Sequence, residues 1–239
     1  MDSVSEHLHQ KRRFLGARLW AANRRLWFHP KVDRLYPSLL FRSHCMSRAA
    51  VSVLEAAAAA FETRRGEGSL AAGMLEFLKD FIGEETGHDE WALEDLEALG
   101  ISRQEVLART PPPTLAALVG AQYYWIAHHH PVAVLGFCFV TESSPPSVPD
   151  IEDLIFRTGL PRTAFRTLLR HAAIDLKHGP EVERLLDRLP LTDAHLSTLG
   201  ISMAHTLSCM ADSAEEICDL YEIREKPAAG AEDVRARLY

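Results

Sequence analysis

The sequence predicts an all-α chain, a single-domain helical bundle of about seven or more helices. Three observations carry this expectation. Apolar residues recur at helical spacing through most of the 239 residues. Capping residues, prolines and glycines divide the chain into helix-length segments. The one stretch with strand-like content, Val132 to Val140, has no partner strand elsewhere, and it reads as the kinked continuation of a helix.

Taken in order, Ser3 and Glu6 fit a capping box, and a helical pattern follows to about Trp27, where His29-Pro30 ends it. A loop with Pro37 leads to an Ala-rich helix from about Met46 to Arg64, broken by Gly66 and Gly68. A long helix is expected from Ser69 to Leu99, closed by Gly100 at a C-terminal cap position. Ser102 and Glu105 suggest another cap, and Pro111-Pro112-Pro113 a boundary before a helix from Thr114 to about His129. After Val132–Val140, the segment Ser143 to Pro149 reads as a loop and Ile151 to Thr158 as a short helix. Pro161 suits the first position of the next helix, which is expected to run to Lys177 or His178 and stop at Gly179-Pro180. A short helix near Val182–Leu189 and a long one near Asp193–Ile223 complete a domain of residues 1–224. Residues 225–239 read as a C-terminal tail.

Composition narrows the function classes. With 26 Lys and Arg against 33 Asp and Glu, the formal charge is −7, which disfavours nucleic acid and anionic membranes as partners. No apolar run approaches the roughly 20 residues a membrane helix needs, and Met1 to Arg13 lacks the pattern of a signal peptide. Four scattered cysteines without metal or disulfide spacing read as reduced side chains of a cytoplasmic protein.

Histidine is frequent, with twelve residues, and three of them recur beside carboxylates. His171, Asp175 and His178 stand at i, i+4 and i+7, one face of a helix, with Phe165, Leu168, Leu169, Ala172 and Ile174 supplying apolar surface around them. Two imidazoles and a carboxylate on one stripe are a metal-ligand pattern, and the set suits ferrous iron. The alternative is a solvated face. Glu85 and His88 form Glu-x-x-His, a pair at i, i+3 of the kind that carboxylate-bridged iron bundles use, set in an acid-rich segment that could equally be a surface patch. Gly83 and Gly87 flank it, which favours a bend or close packing there. Glu142 closes the apolar run from Ala133, and a carboxylate buried there must be paired or bound to metal. Together these residues offer an all-oxygen-and-nitrogen ligand supply from three segments, with no cysteine among them.

This order resembles the haem-oxygenase-like di-iron oxidases and oxygenases, over roughly Leu75 to Ala211. The family's His-x3-Asp-x2-His is matched by His171, Asp175 and His178, its middle ligand by Glu142, and its Glu-x-x-His by Glu85 and His88. Members that place the glutamate seven residues before the histidine find Phe81 at that position here, so Glu85 is the better first ligand, with Glu84 as its substitute. The resemblance implies about two Fe(II) per chain, the second of them labile, with O2 as co-substrate. It also implies oxidation of a free amino acid, small amine or fatty acid in specialised metabolism, with products that include N-oxygenated amines, nitriles, alkenes by oxidative decarboxylation and C–C cleavage products. An amino acid or amine is the preferred substrate. A fatty-acid decarboxylase or desaturase on the same scaffold is the alternative. A homodimer and an external electron donor are compatible with the sequence.

Trp91, Tyr123, Tyr124, Phe137 and Phe139 are candidates for the substrate wall, although aromatics at such spacing also build plain cores. His128, His129 and His130 precede Pro131 at a helix end, where the helix dipole favours them without a ligand role. Other readings are a haem-binding protein, with His7 or His9 as axial ligand; a thiaminase-like hydrolase, with Cys138 as nucleophile; and a non-catalytic member of the fold.

Overall fold

The computed structural model describes residues 3–225 except residue 144, and every regular element among them is helical. The helices are α1 (Val4–Leu15), α2 (Ala17–Trp27), α3 (Val32–Glu62), α4 (Ser69–Glu85), α5 (His88–Ala98), α6 (Arg103–Ala108), α7 (Pro113–His128), α8 (Val134–Glu142), α9 (Val148–Thr158), α10 (Arg166–Arg188) and α11 (Asp193–Glu225). The tail assigned from the sequence lies outside the described residues, apart from Glu225, which ends α11.

Several boundaries follow local chemistry. The hydroxyls of Ser3 and Ser102 accept from the backbone N–H groups of Glu6 and Glu105, so both anticipated caps form. Ser147 and Asp150 make a reciprocal capping box, which starts α9 three residues earlier than expected.

Several boundaries depart from the sequence expectation: Pro161 precedes a short 3-10 turn and α10 starts only at Arg166, and four others differ as well. The first helix divides at Gly16 into α1 and α2. Pro37, expected in a loop, is the sixth residue of α3, just past the first turn, where it forgoes one intrahelical bond. The long helix expected from Ser69 to Leu99 breaks at Thr86-Gly87, with Gly87 at φ 94°, a left-handed conformation that glycine adopts without a Cβ clash. Gly179-Pro180 does not stop α10, which continues through both to Arg188. Packing explains the last case. α10 lies against α8 so closely that a Cβ added at Gly179 would stand 2.9 Å from the carbonyl oxygen of Glu142. The buried Val182, Leu185 and Leu186 hold the second half of the helix in the core. Tertiary contact here outweighs the local cost of Gly and Pro.

The centre of the bundle is α8. Residues 134–140 are all buried, as expected of a helix that is apolar all round. It is packed by α10 and α11. α3 packs along α4, α5 and α7, and α10 also meets α5. The four elements that bear the candidate ligands, α4, α5, α8 and α10, therefore converge on one region.

The start of α10 is fixed from α5. Asp95 is fully buried and accepts the backbone N–H groups of Arg166 (3.1 Å) and Thr167 (2.8 Å), acting as a cap supplied by a distant helix. Asp95→Ala should leave those buried donors unpaired and cost about 1–2 kcal/mol, read as a lower urea midpoint. An unchanged midpoint would contradict this role.

Candidate metal centre

Glu85 is the last residue of α4 and His88 the first of α5. Their pairing therefore differs from the one expected: it spans a break instead of one continuous helix. The turn at Gly87 still brings them together, with His88 Nδ1 3.2 Å from Glu85 Oε2. Glu142 arrives from the end of α8, and Asp175 and His178 from the inner face of α10; all are buried. His178 Nδ1 lies 3.4 Å from both Glu85 Oε1 and Glu142 Oε2. The donor atoms of Glu85, Glu142 and His178 fall within 4.8 Å of one another. Bonds of about 2.0–2.2 Å to one ion place neighbouring donors roughly 3–4.5 Å apart, so one ion fits among these three. His171 completes the group, its ring 5.2 Å from that of His88. Glu85, Glu142, His171 and Asp175 all line a cavity of about 80 Å³.

Electrostatics and hydrogen bonding point the same way. Three buried carboxylates face one another with no Lys or Arg paired to any of them among the described residues. His88 Nδ1, Asp175 Oδ1 and His178 Nδ1 are buried without a hydrogen-bond partner, an arrangement that is costly unless a ligand completes it. Burial, reinforced by the charges of Glu142 and Glu85, pushes the Asp175 carboxyl up to about 8. Burial alone would lower the His178 imidazole, but the carboxylates of Glu142, Glu85 and Glu84 outweigh it and raise it. The site thus draws positive charge onto its own histidine. His171 is lowered by burial, and its Nδ1–H donates to the Thr167 carbonyl at 2.8 Å, which leaves Nε2 as the unprotonated nitrogen. This is the form a metal requires. The residues present therefore fit a hard divalent cation held by carboxylate and imidazole.

The raised Asp175 has a pH consequence. Its unfolded value is near 3.8 and its folded value about 8, so folded metal-free protein holds a proton that the unfolded chain releases. Stability from this group is full below about pH 4 and is lost as pH rises towards 8. The melting temperature of metal-free protein should fall over that window, and Asp175→Asn should flatten the fall. An equal slope in the variant would refute the assignment.

A model of the family described as iron-containing redox enzymes matches residues 43–207. The chain belongs to this family. The match encloses all six candidate ligands. Among solved structures, a domain of unknown function with a heme oxygenase-like fold from Shewanella denitrificans OS217 superposes with a TM-score of 0.78 at 18% identity, covering 96% of this chain and 97% of that one. A TenA homolog from Pseudomonas syringae pv. tomato DC3000 superposes with a TM-score of 0.69 at 12% identity, covering 89% and 91%. Both likenesses show a shared haem oxygenase-like fold. A search of curated proteins gives no match.

Not every anticipated residue of this iron-containing redox enzyme lies at the site. Phe137 lines the cavity. Trp91 stacks on His88, with ring centroids 4.0 Å apart, behind the ligand rather than in the cavity wall. Phe139, expected in the substrate wall, points the other way on α8 and meets His9. Tyr123 and Tyr124, also expected there, are exposed on α7, whose inward face is instead carried by Leu115, Leu118, Gln122 and Ile126. Both expectations failed for the same reason. Helical phase decides which side chains turn inward, and aromatic identity alone does not report it.

Sequence reasoning passed over Met46, Ala50 and Leu54 of α3, which form the apolar side of the cavity. Their spacing at i, i+4 and i+8 was the available signal. His9 Nε2 is engaged by Glu183 at 2.7 Å, which does not suit an axial haem ligand. Cys138 is fully buried, and burial next to Glu142 and Glu85 pushes its thiol up, opposite to what a nucleophilic thiolate needs. Among the described residues, no helix is long and apolar enough to cross a membrane.

Proposed function

We propose that this chain is a non-haem di-iron enzyme that activates O2 to oxidise a small amino acid or amine. The observation that carries the reading is the convergence of Glu85, Glu142 and His178 with three orphaned buried donor atoms around them. Glu85, His88, Glu142, His171, Asp175 and His178 would hold the iron. Iron(II) bound there would activate O2, which is the oxidant.

The chain's own residues set the conditions. Thr141 donates its hydroxyl to Glu142 Oε1 at 2.7 Å and so orients that carboxylate. The Thr167 carbonyl fixes the His171 tautomer. Met46, Ala50, Leu54 and Phe137 give the cavity an apolar wall that excludes water from the reacting centre. At about 80 Å³ the cavity is well below the several hundred ångströms cubed of a drug-sized site. This supports a compact substrate over a long acyl chain, the alternative that a fatty-acid decarboxylase or desaturase would require.

Anaerobic titration should load about two Fe(II) per chain. The loaded protein should then consume O2 with a member of a panel of amino acids and amines in preference to fatty acids, read by mass spectrometry. Absence of iron binding would defeat the reading; turnover of fatty acids alone would favour the alternative.

A further inference from the structure

His178 has a carboxylate near each ring nitrogen. Its Nδ1 faces Glu85 and Glu142, and its Nε2 lies 3.0 Å from Glu84 Oε2. Rotating the ring by 180° would turn C–H groups towards all three carboxylates, so the contacts define the ring orientation. Glu84 is half-buried at the end of α4, and its other oxygen accepts from Lys177 Nζ at 2.5 Å. That lysine precedes His178 on α10 and is exposed. Glu84 is thus turned out of the cavity and away from the donor cluster: it does not line the cavity, whereas Glu85 does. A carboxylate on the far nitrogen of a metal-binding histidine fixes its tautomer and raises its basicity.

We propose that Glu84, braced by Lys177, is a positioning residue that keeps the proton of neutral His178 on Nε2 and presents Nδ1 to the metal. His171, held through Nδ1 by Thr167, would use its opposite nitrogen. The two histidines of one helix would therefore bind through different atoms. This inference rests on the iron reading above and resolves the choice between Glu84 and Glu85 in favour of Glu85 as ligand.

The test uses Co(II) as the probe and nitrogen-15 NMR of labelled histidine in metal-free protein at alkaline pH, where the ring is neutral. Wild type should show His178 protonated on Nε2, and Glu84→Ala should lose that preference. Glu84→Ala should weaken Co(II) binding about 10–100-fold with a changed visible spectrum, and Glu84→Gln, which keeps an acceptor, should recover most of the affinity. The metal-free melting temperature should stay unchanged in both, since a partly exposed ion pair contributes little to stability. Three results would overturn the proposal: His178 protonated on Nδ1 in wild type; Co(II) affinity in Glu84→Ala equal to wild type; or loss in Glu84→Ala as complete as in Glu85→Ala, which would make Glu84 a ligand. Failure of wild type to bind any Co(II) would instead sink the iron reading, while the NMR arm would still decide the tautomer.

Discussion

Glu142→Ala and His178→Ala should each abolish iron loading. Both residues contribute to the one group of donor atoms that lies within the span of a single ion, so removing either leaves only two of those donors. The effect should exceed the 10–100-fold typical of outer-sphere changes, taking a loaded chain to no detectable Fe(II) in anaerobic titration. The metal-free proteins should behave differently from this. Glu142→Ala removes a buried carboxylate that has no Lys or Arg partner among the described residues, so the variant should melt at or above wild type without metal. Loss of iron together with retained or raised metal-free stability is the signature of a site built for function at the expense of the fold. Full iron loading in either variant would refute the assignment.

Gly179→Ala should damage the fold and the site together. The new Cβ would lie 2.9 Å from the Glu142 carbonyl oxygen, a backbone atom that cannot swing aside, so α10 and α8 must separate. Overpacking of this kind costs about 1–3 kcal/mol. His178 is the preceding residue and lies 3.4 Å from Glu142 Oε2, so the same separation carries a ligand away from its partner. Weakened Fe(II) binding should accompany the lower denaturation midpoint. Gly83→Ala, at a helical glycine with nothing within 4 Å of the added Cβ, is the control and should keep iron affinity with an equal or higher denaturation midpoint. Retained iron affinity in Gly179→Ala would show that the helix spacing does not set the site.

The contrast between these two glycines explains what the sequence revealed and what it withheld. The bundle class was legible because apolar periodicity runs almost the whole length of the chain. The boundaries that failed were those where the local effect of Gly or Pro was misjudged, in either direction. At Gly179-Pro180 the packing of α8 against α10 overrides a local break, and at Gly87 a break occurs where the acid-rich pattern looked continuous. The stripe His171–Asp175–His178 was legible because helical geometry is rigid: once α10 exists, the three must share a face. Glu85 and His88 are brought together by a turn, so the pair that the spacing singled out is close in space through a geometry other than the one expected. The cavity wall from α3 was hidden because its i, i+4, i+8 spacing marks one helix face without saying which neighbour that face meets, a fact of tertiary packing.

The turn at Gly87 gives the site a further property. Its donors end one helix, begin the next, and continue on α8 and α10, so an ion held by Glu85 and His178 would fasten together parts of the chain some 93 positions apart in sequence. Such a fastener acts on the lifetime of the protein as well as on its chemistry. Because only the folded chain offers the complete donor set, free Fe(II) at about 100 times its dissociation constant would add about 2.7 kcal/mol to the unfolding free energy. Iron supply would then govern how long the chain survives proteolysis, and iron-starved cells should clear it faster than iron-replete ones.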